Sequence, residues 1–344
     1  MEARELLHDE EHGRPRTPGE RVPPGLARRM GHNVPMRLRI FVEPQQGASY
    51  DTLLAAAQCA ERSGFDAFFR SDHYLRMGSG DGLPGPTDAW VTLAGLARET
   101  TSIRLGTLVT AGTFRLPGPL AITVAQVDEM SGGRVELGLG AGWFEAEHTA
   151  YAIPFPSLKE RFERFEEQLT SIVGLWTTPI GATYDYDGKH YRFAGGPALP
   201  KPRQLPHPPI IVGGGGATRT PRLAAAFAQE FNTPFMQPDR AAEQYRRVDE
   251  ACELRGRDPA TLQKSCAVTV CCASSETEVA KRAERMGWKV EDLRASGACG
   301  SPDEVATRLA TWRDAGAQGA YLQVLDPSDL EHIELLGSEV APLL

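Results

Sequence analysis

Three stretches hold residues of types that could do chemistry. Asp72 and His73 directly follow the apolar run of residues 66–70 (DAFFR), so a carboxylate and an imidazole stand at the end of a strand. That pair reads either as a proton-transfer unit or as a hydrogen-bonded structural pair. Glu145, Glu147 and His148 lie where a helix opens after residues 135–140. Glu145 and His148 are candidate acid or base groups; for Glu147 the attraction of an acid to the positive end of a helix is a sufficient account. Gly213, Gly214, Gly215 and Gly216 stand between a buried strand and a helix. Glycine costs about 0.5 to 1 kcal/mol relative to alanine in ordered structure, so four in a row need a reason. Backbone N–H groups cradling a phosphate at a helix N-terminus supply one, and a flexible loop is the alternative.

Other chemistries find no support. No second histidine stands at metal-ligand spacing, and no metal site is expected. There is no G-x-S-x-G elbow, and Cys59, Cys252, Cys266, Cys271, Cys272 and Cys299 show no C-x-x-C spacing. They read as reduced thiols of a cytoplasmic protein. A formal net charge of −8 without a lysine-arginine cluster speaks against nucleic acid or an anionic membrane as partner. No apolar run approaches the ~20 residues of a membrane span.

The elements that must hold these residues alternate. Period-two apolar runs predict strands at residues 37–42, 66–70, 103–109, 135–140, 210–212, 231–235, 265–273 and 319–325. Helical periodicity and capping residues predict helices at 50–63, 88–100, 119–130, 157–176, 221–229, 241–255, 277–287 and 302–315. Eight such units predict an α/β fold of the (β/α)8 TIM barrel type, with a doubly wound sheet as runner-up. In a barrel every motif-bearing strand end converges on one rim. On the fourth strand Val135, Leu137 and Leu139 share one face and Glu136, Gly138 and Gly140 the other. A face without bulk leaves room for a flat ligand or permits close packing. Residues 177–209 break the rhythm as an insertion between strands four and five, in which the Asp-Gly of YDYDGKHYRF reads as a β-hairpin. Residues 1–35 are polar and proline-rich, the composition of a disordered tail, so residues 36–344 form the domain and translation could begin at Met1 or at Met36.

With these pieces in place, the chain resembles the luciferase-like monooxygenase superfamily, and within it the oxidoreductases that use the deazaflavin coenzyme F420. The likeness is carried by FVEPQQG, FDAFFRSDHYL, IRLGTLVTAGTFR, SGGRVELGLGAGWFEAEH, PHPPIIVGGGG and GSPDEVATRLATWRDAGA. It implies a barrel holding F420, or alternatively FMN, over the strand ends, with the cofactor phosphate on the loop after strand five. Carried over by position, it implies that Asp72 and His73 stand beside the ring's reactive centre. Leu108, Val109 and Thr110 would form a bulge against the ring's back, with a non-proline cis peptide within residues 108–111. Gly140 and Gly142 would border the ring, Gly215 and Gly216 would hold the phosphate, and Asn232 would be a polar contact from strand six.

The implied activity is hydride transfer between F420 and a small organic substrate. Its rivals are an FMN-dependent monooxygenase that uses oxygen and a flavin-binding barrel without turnover. A homodimer is implied as well. Two departures bear on the substrate. Relatives that oxidise sugar phosphates carry a proton-transferring glutamate where Ala141 stands, and an asparagine is common where Phe144 stands, so the pocket is more apolar and a sugar is disfavoured. For the carboxylate-bearing tail of the deazaflavin, Lys201, Arg219 and Arg222 near the glycine loop are the expected cations.

Overall fold

Strands follow one another in chain order as β1 (Arg37–Val42), β2 (Ala67–Arg70), β3 (Arg104–Thr107), β4 (Thr110–Ala111), β5 (Val135–Gly140), β6 (Tyr184–Asp187), β7 (Arg192–Gly196), β8 (Ile210–Gly213), β9 (Glu230–Pro234), β10 (Gln263–Cys272), β11 (Ala298–Gly300) and β12 (Gly319–Gln323). They belong to a computed structural model that describes residues 35–78 and 81–344. The tail expected at residues 1–35 lies, but for Pro35, outside the described residues. Parallel pairing runs β1–β2–β3–β5–β8–β9–β10–β12 and returns to β1, so eight strands close a barrel. This is the expected TIM barrel, and the open doubly wound sheet is set aside.

The helices are α1 (Tyr50–Arg62), α2 (Ala89–Glu99), α3 (Pro117–Ser131), α4 (Glu145–Ala150), α5 (Leu158–Thr177), α6 (Arg219–Phe227), α7 (Pro238–Leu254), α8 (Glu276–Arg285), α9 (Val290–Ser296), α10 (Pro302–Asp314) and α11 (Leu330–Leu335). Side-chain caps start several of them: Ser49, Asp88 and Ser157 each accept a backbone N–H of the first turn, and Ser301 and Glu304 form a reciprocal capping box. None of the described helices is long and apolar enough to cross a membrane.

Alternation along each strand sends one set of side chains to the helices and one into the barrel. Leu38, Ile40 and Val42, like Val135, Leu137 and Leu139, join the large core under the helices. Phe41, Ala67, Phe69, Ile211, Ala267 and Tyr321 fill the barrel interior. Toward the N-terminal ends of the strands the interior turns ionic. Arg39 donates to Asp66 (2.9 Å), Glu136 (2.8 Å) and the Tyr321 hydroxyl (2.6 Å), and that hydroxyl donates to Glu230 (2.8 Å). Burial works against Glu136, yet Arg39 and Arg104 hold its carboxyl below the ordinary range. The interior is thus closed at one end, and the other end remains for a site.

The expected third strand, 103–109, ends early at Thr107 and resumes as β4, and between the two the Leu108–Val109 peptide is cis. The insertion between β5 and β8 carries the antiparallel hairpin β6–β7. Glu167 of α5 secures it by accepting the N–H groups of Lys189 (2.9 Å), His190 (3.0 Å) and Tyr191 (3.0 Å). The sequence reading omitted α9, α11 and β11; the longest of these has seven residues, too few to display a period.

Candidate functional site

A cavity of about 510 Å³ opens at the C-terminal ends of the barrel strands, the rim where the motif-bearing loops converge. Among the expected site residues, His73, Leu108, Val109, Gly140, Gly142, Gly213, Gly214, Gly215, Gly216 and Asn232 line it. Glu43, Ser71, Met77, Trp143, Glu147 and Phe235 line it too.

The structure does not bring Asp72 to the cavity. In the extended segment after β2, consecutive side chains alternate: Ser71 and His73 face the cavity, while Asp72 turns to the other side and is fully buried. There its carboxylate pairs with Arg115, which also binds Asp88. Arg70 lies in the same layer, donating to Thr87 (2.7 Å) and Thr92 (2.9 Å), and burial lowers its guanidinium to about 10. Asp72 is therefore a buried counter-ion beneath the loop that carries His73.

Thr110 also points away: its hydroxyl accepts from the Trp90 indole (3.0 Å) and donates to Thr107 (3.1 Å). On α4 successive residues turn by 100°, so the helix shows Glu147 to the site and leaves Glu145 exposed. His148 is buried with both nitrogens engaged, Nδ1 with the Phe144 carbonyl (2.7 Å) and Nε2 with the Thr113 hydroxyl (2.7 Å). It holds α4 onto the loop after β4 and has no free lone pair or proton to offer.

The residue that sequence reasoning missed is Glu147. Its carboxylate receives His73 Nδ1 at 2.9 Å and the Tyr74 backbone N–H at 3.0 Å, and its side chain is 1% exposed. A carboxylate only accepts, so Nδ1 carries a proton, and in the neutral imidazole it is Nε2 that holds the lone pair. Nε2 has no hydrogen-bond partner among the described residues. Trp143 and Phe144 stand edge-on to the imidazole, with ring centroids at 5.8 and 6.2 Å. Nothing in the sequence ties residue 147 to residue 73; only barrel closure brings the two loops together.

The glycines divide into two groups. A Cβ on Gly138 would meet the Thr107 carbonyl at 1.9 Å, so the space saved there is filled by the neighbouring strand and close packing is the right account. Gly140 and the loop Gly213 to Gly216 border the cavity. Gly214 has φ +144°, and a Cβ on Gly216 would crowd the Thr220 hydroxyl at 2.8 Å, so this loop carries exposed backbone where side chains would intrude. It lies just before α6, whose N-terminal N–H groups favour an anion. A flat ligand with a phosphate at one end fits this arrangement.

Of the expected cations, two are committed elsewhere. Arg222 is paired with Glu166 (2.7 Å), and Lys201 donates to the Leu175 carbonyl (2.6 Å). Arg219 lies over the Phe162 ring at 5.5 Å. No lysine or arginine among the described residues lines the cavity. Among the described residues no group of three or more His, Cys, Asp or Glu could hold a metal ion.

Asn232 sits in the cavity floor with its orientation fixed from below. Its Nδ2 donates to Ser265 (2.9 Å), whose hydroxyl donates to Glu230 (2.6 Å) in the ionic layer.

Comparison with known proteins agrees with this geometry. The family model for luciferase-like monooxygenases matches residues 30–290. An FMNH2-dependent dimethylsulfone monooxygenase of Pseudomonas putida is 31% identical over 158 residues, 46% of this chain and 42% of the relative. An F420-dependent glucose-6-phosphate dehydrogenase of Microbacterium testaceum is 34% identical over 201 residues, 58% of this chain and 57% of the relative. The chain thus spans about half the length of these curated relatives.

Among solved structures, an F420-dependent secondary alcohol dehydrogenase with an F420–acetone adduct superposes at TM-score 0.79 and 17% identity, covering 90% of this chain and 99% of that one. The oxygenating constituent of a Pseudomonas putida diketocamphane monooxygenase with FMN superposes at 0.73 and 21% identity, covering 90% and 98%. At such identities the superpositions speak for the fold. The motifs at the strand ends, the closed barrel with its rim cavity and the match over most of the chain lead to one conclusion: the protein belongs to the luciferase-like monooxygenase family.

Proposed function

We propose that this chain is a cytoplasmic oxidoreductase that transfers a hydride between coenzyme F420 and an uncharged, largely apolar organic substrate. The observation that carries the reading is the His73–Glu147 pair, which presents an unpartnered Nε2 lone pair to the cavity. A base in that position removes the hydroxyl proton of an alcohol while the adjacent C–H bond gives up its hydride, leaving a carbonyl. Glu147 orients the imidazole and stabilises the imidazolium that forms. A bound deazaflavin supplies the two-electron hydride acceptor. Gly213 to Gly216 would hold its phosphate, Leu108, Val109, Gly140 and Gly142 would border its ring, and Asn232 would meet its polar edge. The relatives that use F420 support this choice of cofactor.

The walls speak for the class of substrate. Trp143, Phe162, Phe235 and Met77 line the cavity, and besides His73 the ionisable groups in it, among the described residues, are the carboxyls Glu43 and Glu147. A sugar phosphate would meet two acids and no cation, whereas an alkyl or aromatic alcohol gains apolar contact. The six buried free thiols support a reducing, cytoplasmic setting.

Equilibrium binding of F420 and of FMN to the apoprotein tests the reading, followed by reduction of bound F420 with cyclohexanol, benzyl alcohol and a sugar phosphate. F420 is expected to bind more tightly, and the two alcohols to reduce it faster than the sugar phosphate. Tight FMN binding with no detectable F420 binding would replace the reading with oxygenation by a reduced flavin.

A further inference from the structure

We propose that Glu43 is the proton-exchanging acid of the rim cavity, passing protons between His73 and a second pocket that opens separately to solvent. Glu43 is the first residue beyond β1, which places it on the same rim as Ser71 and His73. Glu43 lines the main cavity and also a pocket of about 360 Å³. Gln46, Arg285, Leu325 and Asp326 line that second pocket. Glu43 is thus the side chain shared by the two spaces.

Among the described residues the groups that face Glu43 do not include a dedicated cation. From its own turn, Pro44–Gln46, the Gln46 amide donates to it at 3.4 Å, a weak bond. His73 acts on it through space from the loop after β2, and the Gln323 amide from the end of β12. Across the second pocket Arg285 is held by Asp326 and Asp329. Burial therefore dominates and pushes the carboxyl above the ordinary range, against the weaker pull of Gln46, His73 and Gln323. A carboxyl raised in this way holds a proton more readily than an ordinary glutamate and still releases it to water.

The proposed function supplies the need for such a group, and the inference rests on that reading for the direction of proton flow. A ligand seated in the cavity would cover its mouth, and Glu147 behind His73 is itself almost wholly buried. Across the cavity that both residues line, the imidazolium of His73 returns its proton to the Glu43 carboxylate by way of cavity water, giving neutral His73 and the Glu43 carboxylic acid. The acid then releases the proton on its far side into the second pocket, and Glu43 is a carboxylate again. No electrons move in either step. Packing alone does not ask for an acid here, because glutamine would fill the same volume and bond Gln46 equally well.

Two measurements on Glu43→Gln and Glu43→Ala test this. In ligand-free protein, the infrared difference between wild type and Glu43→Gln is expected to contain a protonated-carboxyl band that titrates above the usual glutamate value of about 4.3. In the F420-loaded enzyme, Glu43→Ala is expected to turn over an apolar alcohol at least tenfold more slowly, and added formate, a small carboxylate that can enter the vacated space, to restore much of the rate. Formate should leave wild type unchanged. A Glu43 carboxyl that titrates at or below the usual value overturns the proposal, as does wild-type turnover by both variants across the pH range. If F420 does not bind at all, the hydride-transfer reading fails by itself, and the infrared titration still decides whether Glu43 is the raised acid.

Discussion

Glu147 and His73 lie 74 residues apart in the chain, yet the Glu147 carboxylate receives His73 Nδ1 at 2.9 Å and also takes the N–H of Tyr74. One buried carboxylate therefore fixes both the imidazole ring and the backbone beside it. Replacing Glu147 with glutamine keeps the shape but removes the charge that stabilises an imidazolium. A hydrogen bond to a charged group is worth about 1.5 to 3 kcal/mol, so kcat is expected to fall about 10- to 150-fold. His73→Ala, which removes the base itself, should cost about 100- to 10,000-fold. Cofactor affinity should stay within a few-fold in both variants. Wild-type kcat in either variant would make the pair structural.

Most of the barrel was legible because each strand and helix is long enough to show its period, and closure then brings the strand ends together whatever the details. The site was less legible, for reasons tied to particular residues. Asp72 and His73 look like a unit in sequence, but adjacent residues on an extended segment point to opposite sides, so only His73 reaches the cavity. Glu147 reads as an ordinary acid in a first helical turn, and its partner is set by tertiary structure. Lys201 and Arg222 are neighbours of the glycine loop in sequence while their charges are spent on α5. Glu43 sits inside a motif that the sequence reading recognised, but its place between two cavities is a property of the fold.

Trp143 is 66% exposed although it stands edge-on to His73. A large apolar side chain left in water beside a candidate base is best explained by the ligand that covers it. Trp143→Ala is expected to raise KM for benzyl alcohol about tenfold, the equivalent of about 1.4 kcal/mol of lost apolar contact. Its kcat should change less, because the contact is made in ground and transition states alike. Steady-state kinetics at saturating F420 check this, and an unchanged KM would place the substrate elsewhere.

The phosphate role of the glycine loop has a direct test at Gly214. Its φ of +144° suits glycine alone, so Gly214→Ala must shift the local backbone. The loop N–H groups would then miss their anion. Binding of F420 and of FMN, which share a ribityl phosphate, is expected to weaken together by at least tenfold, while the melting temperature falls only a few degrees. Loss of affinity for one cofactor and not the other would show that the loop contacts something other than the shared phosphate.

Acid stability offers a prediction independent of function. His332, on α11, is buried with its Nε2 accepting the Cys272 N–H at 3.0 Å. Burial and then the nearby Arg282 charge bring the imidazole down to about 3. Arg282 also donates to the Cys272 carbonyl and to Asp329, and although burial opposes it, this pairing holds the Asp329 carboxyl at about 2. Both folded values lie below the unfolded ones, about 6.5 for histidine and 3.9 for aspartate. Above pH about 6.5 neither state protonates the imidazole, and the stabilisation is complete. As pH falls from there toward 3, the unfolded chain binds a proton that folded His332 refuses. Stability is then lost at up to about 1.4 kcal/mol per pH unit. Asp329 adds a second loss of the same sign below pH about 3.9. His332→Gln keeps an acceptor for Cys272 and removes the titration, so urea unfolding midpoints between pH 6.5 and 4 should depend less on pH than in wild type, even if the variant starts from a lower value. Equal slopes for the two proteins would mean that His332 is protonated in the folded state and that its bond to Cys272 is not maintained in acid.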